Sequence, residues 1–156
     1  MKTTLVLSAL AVALILPLSA RAGSQPPPAM ANSYRTECGS CHVAYPPDLM
    51  SVGGWRTIMA SLDAHFGENA ALEEPIRREI EHYLTEHGAT SEHRFGSRTD
   101  PARLTTTRWF RRTHGQVKSF FTNARVGSAA HCSACHPQAE QGRYAREGVI
   151  LPRLPR

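Results

Sequence analysis

Apolar residues recur along this chain of 156 residues in short blocks at helical spacing, and no segment alternates with the two-residue period of a strand. From Asp48 onward Trp55, Ile58, Met59, Leu62 and Phe66 form one stripe, which predicts a helix whose opening turn Gly53-Gly54 weakens. A second helix is predicted from Glu74-Pro75, where proline suits an early helical position, through Ile76, Ile80, Tyr83 and Leu84 to a stop at Gly88. A third follows the capping candidates Thr105, Thr106 and Thr107 and carries Trp109, Phe110, Val117 and Phe121. Shorter helices are expected over Ser33 to Cys41 and from about Ser128, with an extended turn forced at Tyr45-Pro46-Pro47. The stretch Thr90 to Asp100 has no apolar period and reads as a linker, and the Arg- and Pro-rich tail from Gly142 should be irregular. The fold class is therefore mainly α: two small units of short helices and long irregular segments.

The ends set the boundaries. Lys2, the apolar run Leu5 to Leu18 and the small-x-small site Ala20-Arg21-Ala22 make residues 1–22 a secretory signal peptide. A retained membrane anchor fits less well, because the run is short and Pro17 interrupts it. A Pro-rich leader occupies 23–30, a first unit 31–90, the linker 91–100 and a second unit 101–156. No later segment is long and apolar enough to span a bilayer, so an exported protein without a transmembrane segment is expected.

Charge is distributed unevenly. Residues 23–93 hold four arginines against ten acidic residues, whereas residues 94–156 hold eleven arginines and one lysine against three. The simple account is that some arginines meet bound carboxylates and the others are solvated; the sharper one is that the basic half orients an acidic partner.

The chemistry lies in the cysteines. All four fall in two Cys-x-x-Cys-His motifs, Cys38-Gly39-Ser40-Cys41-His42 and Cys132-Ser133-Ala134-Cys135-His136. This pattern attaches haem covalently: Cys38 and Cys41, and likewise Cys132 and Cys135, form thioethers to one haem, and the following histidine reaches its iron. On a helical turn, positions i, i+3 and i+4 share one side, so both sulfurs and the imidazole face one macrocycle. A four-thiolate zinc site would need pairs much closer in sequence, and thioredoxin-type dithiols would need βαβ surroundings that are not visible. Two haem c groups are thus the expected cofactors. Their propionates would bring the exported form close to neutrality, so nucleic acid is not an expected partner. Haem attachment of this kind outside the cytoplasmic membrane points to the periplasm. Each unit is too small for a large core of its own, so haem should be its main apolar filling and the haem-free chain poorly folded.

His42 and His136 are the proximal iron ligands by motif. For the sixth positions, His65 follows Leu62 by three and Ile58 by seven, and His114 follows Phe110 by four, so both sit on apolar stripes where a polar ring needs a partner. His87 is a rival in the first unit, although a histidine before Gly88 also suits the helix dipole. His131 lies beside Cys132, His82 on a polar face and His93 in the linker, while Met59 and Met50 are weaker alternatives. Two histidines per iron suit low-potential electron transfer, whereas an open site would suit ligand binding or a small peroxidase-like enzyme or sensor.

The run Glu37-Cys38-Gly39-Ser40-Cys41-His42, Ala44-Tyr45-Pro46-Pro47, Trp55-Arg56, His65-Phe66-Gly67 and Asn69-Ala70 resembles the bacterial dihaem cytochrome c family. Arg103-Leu104-Thr105, Trp109-Phe110, His114, the second attachment motif and Pro152-Arg153 continue the resemblance. It implies a periplasmic electron carrier, not an enzyme, with His65 and His114 as the distal iron ligands and a first unit like a reduced class I cytochrome c. A redox protein is the implied partner, such as a monohaem oxygen-binding cytochrome or a membrane cytochrome. Leu154-Pro155-Arg156 extends past the family pattern.

Overall fold

The computed structural model describes residues 31–99 and 102–153. The expected signal peptide and leader, at 1–30, lie outside the described residues, as do the last three residues. Five α-helices occur in the described chain: α1 (Asn32–Cys38), α2 (Val52–Met59), α3 (Glu74–His87), α4 (Glu92–Phe95) and α5 (Arg108–Thr113). 3₁₀ segments lie between and after them, and pairing among the described residues is limited to isolated bridges, Ser51 with Ala89 and His65 with Glu68. No helix among the described residues is long and apolar enough to cross a membrane.

The helices that form as expected have identifiable causes. In α3, Pro75 occupies the first turn, Arg77 bridges Glu74 and Glu81 on the outer side, and Ile80, Tyr83 and Leu84 are buried. Thr107 caps α5, its Oγ1 accepting from the Phe110 amide. Ser51 does the same for α2 through the Gly54 amide, and Ser51 is completely buried.

Three expectations are corrected. The stripe from Trp55 to Phe66 is not one helix: α2 stops at Met59, and Leu62–Ala64 is a 3₁₀ turn. Ser61 leaves helical geometry while its hydroxyl donates back to the Thr57 carbonyl, a local bond that competes with continuing the helix. The third helix likewise ends at Thr113, and Gly115–Thr122 continues as 3₁₀; Gly115 has the weak helix propensity expected there. The stretch read as a linker contains α4, tied to the start of α2: Ser51 N–H donates to Phe95 O at 3.1 Å and Gly53 N–H to Glu92 Oε1 at 3.1 Å. Its helix is too short to carry an apolar period.

The core joins both sequence halves. Tyr34, Met50, Trp55, Met59, Leu62, Ile80, Tyr83 and Leu84 pack in one cluster with Leu104 and Phe110. The Trp55 indole N–H donates to Pro47 O at 2.7 Å, so the one polar atom of this large buried ring is satisfied. Around the second motif the protein supplies little: neither Gly115–Thr122 nor Cys132–Ala134 contains a buried residue. Buried side chains in that region are few, Val126 and Ala139 among them.

Gly53-Gly54 weakens the helix for a packing reason. A Cβ on Gly54 would stand 2.7 Å from Met50 Cγ and 2.8 Å from its sulfur, and Met50 is fully buried. Gly54→Ala should therefore cost about 1–3 kcal/mol by overpacking, whereas Gly148→Ala, whose Cβ meets no atom within 4 Å, should stay within about 0.5 kcal/mol of wild type. Chemical denaturation of the haem-loaded protein measures both.

Candidate functional site

The attachment motifs are tighter than full α-helical turns. Cys38 is the last residue of α1, and Cys41 and His42 lie in the turn after Gly39, whose amide closes the helix on Arg35 O. In the second motif Cys132–Ala134 is a 3₁₀ turn, where residues three apart eclipse, so Cys132 and Cys135 project to one side. His136 N–H donates to Cys132 O at 2.9 Å, which keeps the imidazole one turn beyond the first sulfur. Residues of both motifs, from Gly39 to Ala44 and from Ala130 to Ser133, line one cavity of about 570 Å³, a cofactor-sized space. Among the described residues no three His, Cys, Asp or Glu side chains converge as a bare-metal site.

Each motif histidine faces one other histidine. The ring centres of His42 and His65 are 6.2 Å apart with planes 24° from parallel. Those of His136 and His114 are also 6.2 Å apart, but at 69°. An imidazole nitrogen ligates a first-row metal at about 2.0 Å and its ring centre lies about 1.1 Å beyond, so two axial rings should stand about 6.2 Å apart. Both pairs show that centroid separation.

The free nitrogens agree. His42 Nδ1 lies 2.8 Å from Val43 O and His114 Nδ1 lies 3.1 Å from Phe110 O. A carbonyl only accepts, so in each ring Nδ1 carries the proton and Nε2 keeps its lone pair for a metal. Burial pushes His65, His114 and His136 below the ordinary histidine range, aided at His65 by the charges of His42 and Arg103 and at His136 by that of His114. At His114 the Phe110 carbonyl opposes the shift without reversing it. All three shifts favour the neutral, ligating form. Burial also pushes the Cys38 and Cys132 thiols up to about 11, and Cys135 upward, so before attachment they stay protonated at neutral pH.

The other histidines have neighbours of their own, and His131 lines the same cavity as both motifs. His87 packs on Tyr83 at 4.9 Å, His82 and His87 approach Glu86, His93 meets Arg108, and His131 Nδ1 bonds to Val126 O. Met50 and Met59 are buried in the core cluster.

His65 reaches its place by a route the helical stripe did not anticipate. It terminates the Leu62–Ala64 turn and is followed by Phe66 at φ 56° and Gly67 at φ 104°. This left-handed pair reverses the chain so that Glu68 N–H returns to His65 O at 3.1 Å. Arg103 lies over the Phe66 ring at 4.0 Å, joining the turn to the second half of the chain.

Sequence reasoning missed two tyrosines. The Tyr45 ring stacks on His42, centroids 4.9 Å and planes 16° apart, and Tyr144 lies 5.3 Å from His136. The Tyr144 hydroxyl is buried with no hydrogen-bond partner among the described residues, a donor suited to a haem propionate. Only the placing of Tyr45 three residues after His42 could have signalled its role.

The dihaem cytochrome c family model matches residues 34–144, which include both motifs and both histidine pairs. The chain belongs to the dihaem cytochrome c family. Its cofactors are two haem c groups. The cytochrome is 37% identical to the X-ray structure of a dihaem cytochrome c from Shewanella baltica OS155, with a TM-score of 0.67 over 78% of this chain and 92% of that one. It is 38% identical to the crystal structure of a dihaem cytochrome c purified from Rhodobacter sphaeroides, with a TM-score of 0.62 over 73% of this chain and 96% of that one. No curated protein matches the cytochrome.

The reversal at Gly67 supplies a test. No atom lies within 4 Å of a Cβ there, so the penalty of Gly67→Ala is backbone strain alone, about 1–3 kcal/mol. The expected result is lower stability together with a high-spin fraction at one haem, read from the ferric absorption spectrum.

Proposed function

We propose that this cytochrome is a periplasmic electron carrier in which each iron lies between two histidines, His42 with His65 and His136 with His114. The observation that carries the reading is the shared 6.2 Å separation of the two ring pairs. Bound haem supplies the one-electron chemistry; the protein supplies the thiols of Cys38, Cys41, Cys132 and Cys135 for attachment and the four imidazoles for closure. Rings held on both sides leave no position for a substrate, which argues for a carrier and against a peroxidase-like enzyme or sensor. Imidazoles on both sides would also need little rearrangement when the charge of the metal changes. The signal-like segment at residues 1–22 supports export.

Separate substitution of the distal candidates tests ligation. His65→Ala and His114→Ala should each convert one of the two haems to a high-spin form that binds carbon monoxide when ferrous, with wild type unaffected by the gas. Two variants that both stay low-spin, or a wild type that binds carbon monoxide, would reject the closed-site reading.

The partner follows from charge. Every ion pair among the described residues lies within α3, so Arg103, Arg108, Arg111, Arg112, Arg125, Arg143 and Arg146 have no carboxylate partner in the described chain. A redox protein with an acidic face is the expected partner, and a monohaem oxygen-binding cytochrome or a membrane cytochrome is the class suggested by family resemblance. Association with such a partner should slow by tenfold or more as salt rises from about 10 mM to 0.15 M, measured by stopped flow. A rate independent of salt would reject electrostatic docking.

A further inference from the structure

The two histidine pairs match in spacing but not in orientation, and one residue touches both haem-attachment regions. Tyr45 lies against the face of His42, with planes 16° apart, and its hydroxyl donates across 85 residues of sequence to Ala130 O at 3.2 Å. Ala130 is two residues before Cys132, and its carbonyl also accepts from the Cys132 amide at 3.0 Å. The backbone of Tyr45 is itself anchored: its carbonyl accepts from the Tyr34 hydroxyl at 2.7 Å, and Tyr34 is buried in the core. Pro46 and Pro47 follow at once and restrict the backbone further.

From this we propose that Tyr45 is a positioning residue, whose ring sets the rotation of the His42 imidazole while its hydroxyl ties the second attachment motif to the first. A flat ring lying against an imidazole blocks rotation about the Cβ–Cγ bond, and the Nδ1 contact with Val43 O selects one face of that rotation. The consequence is the near-parallel pair, His42 with His65 at 24°. Against His136 stands Tyr144, inclined at 57°, which offers no such flat guide, and the pair of His136 with His114 stands at 69°.

The difference has a spectroscopic reading. Parallel axial imidazoles act on the same π-symmetry d orbital of a ferric iron and separate it in energy from its twin. Crossed imidazoles act on both and leave them nearly degenerate. The first arrangement yields a well-resolved rhombic low-spin resonance, the second a strongly anisotropic one dominated by its largest g value.

The inference rests on the proposed axial pairs, and the experiment separates the two. Electron paramagnetic resonance of the ferric dihaem protein should show one rhombic and one strongly anisotropic low-spin signal. A wild-type spectrum with two signals of one kind, or with a high-spin component, would overturn the axial reading and the role of Tyr45 with it. Given the expected wild type, Tyr45→Leu removes the flat guide and should broaden the rhombic signal and move it toward the anisotropic kind, leaving the other signal in place. Tyr45→Phe keeps the ring and should retain both signals. It loses the tether, so amide hydrogen exchange over residues 128–136 should quicken about fivefold, the effect of one hydrogen bond. A rhombic signal unaltered in Tyr45→Leu would overturn the orienting role alone, and unaltered exchange in Tyr45→Phe would overturn the tether, whether or not the leucine variant accumulates.

Discussion

Covalent haem attachment is the constraint on which the rest of this molecule depends. The thioether bonds fix a large flat apolar body to a chain that could not otherwise enclose an interior of that size. The buried side chains are concentrated where α2 and α3 meet, and around the second attachment motif the protein supplies only a few buried groups, such as Val126 and Ala139. Side-chain packing organises the first half, while the region of the second motif has few buried side chains. Short helices and single 3₁₀ turns suit this division, since an element wrapped on a macrocycle needs no long apolar face to be held in place.

Much of this architecture was legible, and the readable parts share a cause. The span of α3 followed from Pro75, from Ile80, Tyr83 and Leu84, and from Gly88, all local signals within one helix. The capping of α5 by Thr107 was equally local. The attachment motifs were plain because cysteine chemistry leaves little freedom in spacing. What escaped was set by contacts distant in sequence. α4 forms because Glu92 and Phe95 reach the start of α2, and no periodicity in a four-residue helix records that. The break between Met59 and Leu62 depends on a serine bonding backward and on the turn that ends at His65, so an apparent continuous stripe was really two pieces. His65 was therefore singled out by a helix that does not exist, while the underlying argument, that a polar ring among apolar neighbours needs a partner, did not depend on it.

The two halves place these histidines by different local means. His114 stands at the end of α5, held by the Phe110 carbonyl and stacked on the Phe110 ring at 4.1 Å. His65 is presented by a left-handed reversal that stores backbone strain at Phe66. One histidine is placed by a regular helix and an aromatic neighbour, the other by an irregular loop braced from Arg103. The same ring spacing is thus reached from two different scaffolds.

Charge adds a division of labour to the shared core. The acidic residues of α3 are largely engaged within that helix, where Arg77 and Arg78 hold Glu74 and Glu81. The arginines after residue 102 have no such engagement in the described chain, so their field reaches outward. The stretch after residue 102 is therefore the basic part of the chain, while the half with the stronger side-chain core carries an excess of acidic residues. Dense side-chain packing and excess positive charge thus fall on opposite halves of the sequence.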